Sequence, residues 1–216
     1  MGLGKTVQVL AAITKLKELG RLGGPVLIVA PTSVVSTWAH EATRFAPGLT
    51  VNTVTATAKK REESVEELAA ADIVVTSYTL LRLEGDAYEG VTWEGVVLDE
   101  AQAVKNPRTI GYRALIKLRR EWTFAVTGTP IENTIGDLGA LFGLSTPGLL
   151  PAADKFSEKF KRPIERNGDP VARALLMKLT KPFLMRRKKS DVARTCPRKC
   201  RQFSRSRWMT TIGHAT

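Results

Sequence analysis

Four short, continuous apolar runs set the fold class of this chain: Val26-Leu27-Ile28-Val29-Ala30, Ile73-Val74-Val75, Val96-Val97-Leu98 and Phe124-Ala125-Val126. None alternates apolar with polar. Strands read this way when helices cover both faces of a sheet, as in parallel sheets. A weaker strand, Val51-Asn52-Thr53-Val54, lies between the first two. Helical patterns separate the runs. Val9, Ala12, Ile13 and Leu16 form one stripe. Thr32 or Ser33 can cap a helix running to about Phe45, and Glu62 to Ala70 reads as a third helix. Asn106-Pro107 reads as an N-cap followed by proline at the first helical position, opening a helix to about Arg120. Strand and helix alternate, which predicts an α/β fold with a mostly parallel sheet flanked by helices.

After Leu149 the texture changes. Asp154 to Lys161 and Pro170 to Leu179 read as helices, and no further buried strand follows. The chain therefore divides into a lobe at 1–149, a helical extension at 150–195 and a basic, aperiodic tail at 196–216, read as disordered or out of frame. The 216 residues, 43% of them apolar, can bury a full core. No apolar run approaches the roughly 20 residues that span a bilayer, and the start carries no signal-peptide pattern. The expectation is a cytoplasmic protein with no membrane partner.

Charge is unevenly placed. The net charge is +12. From Lys181 onward eleven Lys/Arg face one acid, Asp191, so this segment carries +10 and the preceding 180 residues only +2. A basic block is either a solvated surface or one that faces nucleic acid. Cys196 and Cys200 lie in this tail with His214 beyond. A structural zinc site wants four ligands at repeated spacings, so two free thiols are expected instead.

Three segments can carry chemistry. Met1-Gly2-Leu3-Gly4-Lys5-Thr6 is the back half of a phosphate-binding loop. Glycines let backbone N–H groups face a phosphate, while Lys5 and Thr6 reach phosphate and Mg²⁺. Val96-Val97-Leu98 then delivers Asp99 and Glu100 at a strand's carboxyl end, where open α/β sheets bind ligands. Asp99 suits Mg²⁺ and Glu100 suits polarising an attacking water. Finally, Val126-Thr127-Gly128-Thr129-Pro130 ends a strand in small hydroxyl and glycine residues that can sense a γ-phosphate. A plain strand-ending turn is the competing reading of that last segment.

Together with Ala30-Pro31-Thr32-Ser33, Trp38 and Glu41, Thr76-Ser77-Tyr78, Ala101-Gln102, Lys105-Asn106-Pro107, Ile131-Glu132-Asn133 and Pro182 to Val192, these motifs occur in an order that strongly resembles one family. It is the SWI/SNF family of DNA-dependent ATPases in helicase superfamily two. The likeness is to its first RecA-like lobe, in the bacterial branch, over about residues 1–199. The resemblance implies a RecA-like P-loop lobe with a helical C-terminal extension, ATP and Mg²⁺ as cofactors, and ATP hydrolysis coupled to translocation on double-stranded DNA. By resemblance, Gly2, Leu3, Gly4, Lys5, Thr6, Gln102, Thr127, Gly128 and Thr129 bind the nucleotide. Lys5, Asp99 and Glu100 are catalytic, and Thr6 and Asp99 hold Mg²⁺. Pro31, Thr32, Ser33, Thr76, Ser77, Tyr78, Arg186 and Arg187 touch DNA; plain caps and turns compete for the hydroxyl residues, and a brace between lobes competes for the arginines. Trp38 could stack on a base, but its position with Val34, Val35 and Phe45 favours packing on the sheet.

The family also has acidic residues, a strand and an adenine-reading glutamine motif ahead of the loop, and a second RecA-like lobe beyond. That second lobe supplies an arginine finger, worth about 10³–10⁵ in rate in comparable enzymes. The expectation is thus a fragment of a translocase that is inactive alone. The alternatives are a lobe that binds ATP or DNA without turnover, a small P-loop kinase and a gene remnant. Gly139 and Gly143, inside a predicted helix, add an expectation of low stability, since each interior glycine costs about 1 kcal/mol against alanine.

Overall fold

The structure, a computed structural model, describes residues 4–128 and 134–185. Gly2, Leu3, Thr129, Arg186, Arg187, Cys196, Cys200 and the basic tail lie outside the described residues. The described elements run in order as α1 (Lys5–Glu18), β1 (Val26–Ala30), α2 (Val35–Phe45), β2 (Val51–Thr53), α3 (Val65–Leu68), β3 (Ile73–Ser77), α4 (Tyr78–Leu83) and α5 (Gly85–Glu89). There follow β4 (Thr92–Asp99), α6 (Ile110–Lys117), β5 (Arg119–Val126), α7 (Ile135–Ser145), α8 (Ala153–Phe156), α9 (Arg162–Asn167) and α10 (Pro170–Thr180).

Five strands form one sheet in the order β2-β3-β1-β4-β5, every pair parallel. The continuous apolar runs have the predicted cause. Along β1 the side chains alternate between faces and still meet protein on both. Leu27 and Val29 pack with Val74, Val96 and Leu98 against α3 to α7. Val26, Ile28 and Ala30 pack with Ile73, Val75 and Val97 against α1 and α2. The result is a three-layer sandwich, and strands, acids and phosphate loop all finish at one edge.

Three expectations about elements change. The helix expected from Asn106 starts at Ile110. Asn106 instead accepts from Arg108 N–H at 3.0 Å in a turn, and Thr109 caps the helix by accepting from Tyr112 N–H. At its other end, Arg119 and Arg120 belong to β5, since β4 pairs with this strand as far back as Thr92↔Arg119. The helix expected over 62–70 is a single turn, Val65–Leu68, opened by a Ser64–Glu67 capping box. The Asp154–Lys161 helix is the first part of a longer helical run: α8 passes through a π turn at Ser157–Lys161 into α9.

The two helical glycines have a packing reason. A Cβ on Gly139 would lie 2.6 Å from the Phe156 ring, and one on Gly143 would lie 2.8 Å from the Tyr112 hydroxyl. Tyr112 uses that proximity to donate to the Ala140 carbonyl at 2.9 Å. Helix α7 is apolar on two sides. Ala140, Leu141 and Leu144 join the sheet core, whereas Leu138 and Phe142 join Phe156, Phe160 and Leu176 of the extension. Among the described residues no helix is long and apolar enough to cross a membrane.

Candidate active site

The carboxyl edge of the sheet gathers three segments that are distant in sequence. Gly4, at φ 68°, precedes α1 in the left-handed region and leaves the helix start without a side-chain cap; a Cβ there would be strained though it would touch nothing. Lys5 and Thr6 open the first turn of this 14-residue helix. The Lys5 ammonium lies 3.0 Å from Glu100 Oε1. Gln102 donates to Glu100 Oε2 at 2.9 Å, and Thr127 Oγ1 donates to Gln102 Oε1 at 2.8 Å. One chain of contacts therefore runs Lys5–Glu100–Gln102–Thr127. Gly128 closes beside it: a Cβ there would stand 3.9 Å from Lys5 Nζ.

Glu100 has φ 45° and ψ 54°, a left-handed backbone at a residue that is not glycine. Such a conformation costs on the order of 1–3 kcal/mol and persists only where surrounding contacts enforce it. Here it ends β4 sharply, so that two successive acids serve different partners. Partial burial works against ionising Glu100. The hydrogen bonds from Gln102 and Lys5, the Lys5 charge and the Gly128 N–H outweigh it and hold the carboxyl below the usual range. Glu100 is an anion at neutral pH.

Asp99 is buried, 9% exposed, and turned the other way. Its Oδ2 accepts from the Trp38 indole at 2.9 Å and its Oδ1 from Glu100 N–H at 2.9 Å. The Tyr78 hydroxyl donates to the Asp99 carbonyl at 2.8 Å. Burial, then the Asp99 and Glu100 charges, push the Tyr78 phenol far up, so it stays a donor. Trp38 packs on the sheet as its neighbours in sequence imply; it is 2% exposed and offers no ring to a base. Its bond to an acid 61 residues away has no sequence signal.

The residues expected to meet DNA divide by exposure. Thr32 and Ser33 are exposed in a short 3-10 turn after β1, next to half-buried Pro31. Thr76 and Ser77 are buried, and their side chains serve the lobe. Thr76 Oγ1 bonds the Tyr88 hydroxyl at 2.6 Å, and Ser77 caps α4 by accepting from Leu80 N–H. For these two side chains the cap-and-core reading describes the contacts.

The residues present fit a magnesium nucleotide. A helix start with a left-handed glycine and no side-chain cap leaves N–H groups that suit a phosphate. A lysine stands at its first position, and two successive acids, Asp99 and Glu100, end β4. Lys5, Thr6 and Gly4 would hold the phosphates; Asp99 and Thr6 would hold the cation.

The family described as SNF2-related domain matches residues 1–208. The putative ATP-dependent helicase/translocase YwqA of Bacillus subtilis (strain 168) is 39% identical over 202 residues, covering 92% of this chain and 22% of that protein. The chromatin-remodeling ATPase INO80 of Schizosaccharomyces pombe is 33% identical over 208 residues, 89% of this chain and 13% of its own length. The chain thus spans less than a quarter of these relatives. Among solved structures, the Sulfolobus solfataricus SWI2/SNF2 ATPase core in complex with dsDNA superposes with a TM-score of 0.79 at 36% identity, covering 89% of this chain and 40% of that one. A second structure of that core domain gives 0.77 at 37% identity.

Proposed function

Because the chain belongs to the SNF2-related domain family and corresponds to one RecA-like lobe of it, we propose that it is the ATP-binding half of a motor that hydrolyses ATP while moving on double-stranded DNA. The observation that supports this best is the contact chain Lys5–Glu100–Gln102–Thr127, which joins the loop, the acids and the β5 end at one sheet edge. The Sulfolobus solfataricus SWI2/SNF2 ATPase core in complex with dsDNA, superposing at TM-score 0.79, supports duplex DNA as the track.

When bound, MgATP supplies a polyanion and the cation that partly neutralises it. The residues of the lobe divide the remaining work. Lys5, 3.0 Å from Glu100, would turn spare N–H donors toward phosphate. Glu100, ionised and held by Gln102, is placed to accept the proton of an attacking water. Asp99 and Thr6 would hold Mg²⁺. Gln102, bonded to both Glu100 and Thr127, moves when either does, and so links the acid to the β5 loop. Thr32 and Ser33, exposed beyond β1, offer hydroxyls and turn N–H groups to the duplex backbone. Completion of the site falls to a second RecA-like lobe that brings an arginine.

Nucleotide binding and phosphate release, measured with and without duplex DNA, test the proposal. The 216-residue chain should bind ADP in a Mg²⁺-dependent way that Lys5→Ala abolishes, with little DNA-stimulated turnover. A chain extended through a second lobe should turn over at least a hundredfold faster on DNA, a modest demand against the about 10³–10⁵ an arginine finger supplies. Binding that ignores both Mg²⁺ and Lys5→Ala would sink this reading.

A further inference from the structure

We infer that Trp38 and Tyr78 are positioning residues for Asp99, fixing the metal-holding carboxylate before a ligand arrives; this rests on the reading of Asp99 given above. A carboxylate on a single Cβ–Cγ bond rotates freely unless its oxygens are committed. Here both are: Oδ2 to the Trp38 indole at 2.9 Å and Oδ1 to the next main-chain N–H at 2.9 Å. The main chain at Asp99 is held in turn by the Tyr78 hydroxyl at 2.8 Å.

The indole is a donor only, and a buried indole N–H must find a partner. A neutral carbonyl would satisfy it. Trp93, equally buried, does that by donating to the Tyr88 carbonyl at 2.9 Å. Trp38 instead donates to the charged side chain at the end of β4, a stronger and more directional bond. The two tryptophans therefore separate packing from positioning. Trp38 sits on α2, the helix that follows the turn at Thr32–Val34, and Tyr78 opens α4, so Asp99 is oriented from two elements besides its own strand. Partners of this kind around metal ligands typically change metal affinity about 10–100-fold when removed.

The experiment uses the full chain as wild type, Trp38→Phe, Tyr78→Phe and Trp93→Phe. Mn²⁺ binding is read by electron paramagnetic resonance with saturating ADP, and ADP affinity is read separately without metal. We expect Trp38→Phe to weaken Mn²⁺ binding about tenfold and Tyr78→Phe by a smaller factor. Trp93→Phe should leave it unchanged, and metal-free ADP affinity should stay the same in all four. If wild type binds Mn²⁺ with ADP and Trp38→Phe weakens it no more than Trp93→Phe, the inference fails alone. If wild type shows no metal-dependent ADP binding, the reading of the site fails and the inference with it. Should Trp38→Phe not fold, Tyr78→Phe, which removes one hydroxyl, decides the matter: unchanged Mn²⁺ affinity in that variant overturns the inference.

Discussion

Lys5 carries three N–H donors and spends one on Glu100 Oε1 at 3.0 Å, so a phosphate would share the ammonium with that carboxylate. Its pH dependence has a definite sign. The folded carboxyl of Glu100 sits below its ordinary value of 4.5, so its ionised form stabilises the fold. That contribution is complete above pH 4.5 and is lost as pH falls through the lower folded value. Urea unfolding of wild type and Glu100→Gln should therefore differ by a constant amount at neutral pH and converge below pH 4.5. A gap that widens on acidification would contradict the assignment. Gly139 gives a second residue-scale test. Helix propensity alone says that Gly139→Ala gains about 1 kcal/mol. The Phe156 ring, 2.6 Å from the added Cβ, says that it loses about 1–3 kcal/mol. Chemical denaturation decides, and destabilisation is expected.

Elements show where the sequence could be read and where it could not. The strand centres were legible because a residue such as Ile28 or Val97 is apolar on whichever face it points to. The start of β5 was not. Arg119 and Arg120 read as the end of a helix, yet Arg120 is pinned inward from β5. Its guanidinium donates to the Leu115, Leu118 and Leu144 carbonyls and to Thr123 Oγ1, contacts that only the assembled fold provides. Burial lowers its affinity for a proton without discharging it. Lys5, Asp99 and Glu100 were legible as a site because strand and motif coincide, whereas the left-handed Glu100 and the Trp38–Asp99 bond depend on packing across elements. The segment between β2 and α3 shows the same dependence. Arg61 pairs with Glu84 at the end of α4 at 2.7 Å, with only 12% and 13% of the two side chains exposed, and also donates to the Ala56 and Glu63 carbonyls. Removing one partner of a largely buried pair leaves a stranded charge. Glu84→Ala should cost about 3 kcal/mol, read from urea midpoints at constant slope.

At the scale of the whole molecule, α7 joins the sheet core to the extension. Phe142 is 4% exposed among Leu138, Phe156, Phe160 and Leu176. Phe142→Ala should cost about 3–5 kcal/mol. Amide exchange should quicken more over residues 153–180 than in β1, because the cavity opens on the extension side; equal quickening would mean that the two cores unfold as one. The strand order carries a further consequence, in time. β1 is made before both of its sheet neighbours, β3 and β4, and sits between them. Val26-Leu27-Ile28-Val29-Ala30 therefore leaves the ribosome with both edges bare, and stays so until residues 73–99 have been made. At about 5–20 residues per second that wait is roughly 3–14 s. For those seconds an uncharged, β-prone pentapeptide lacks both of the strands it pairs with in the finished sheet, and the nascent lobe depends on whatever shields it meanwhile.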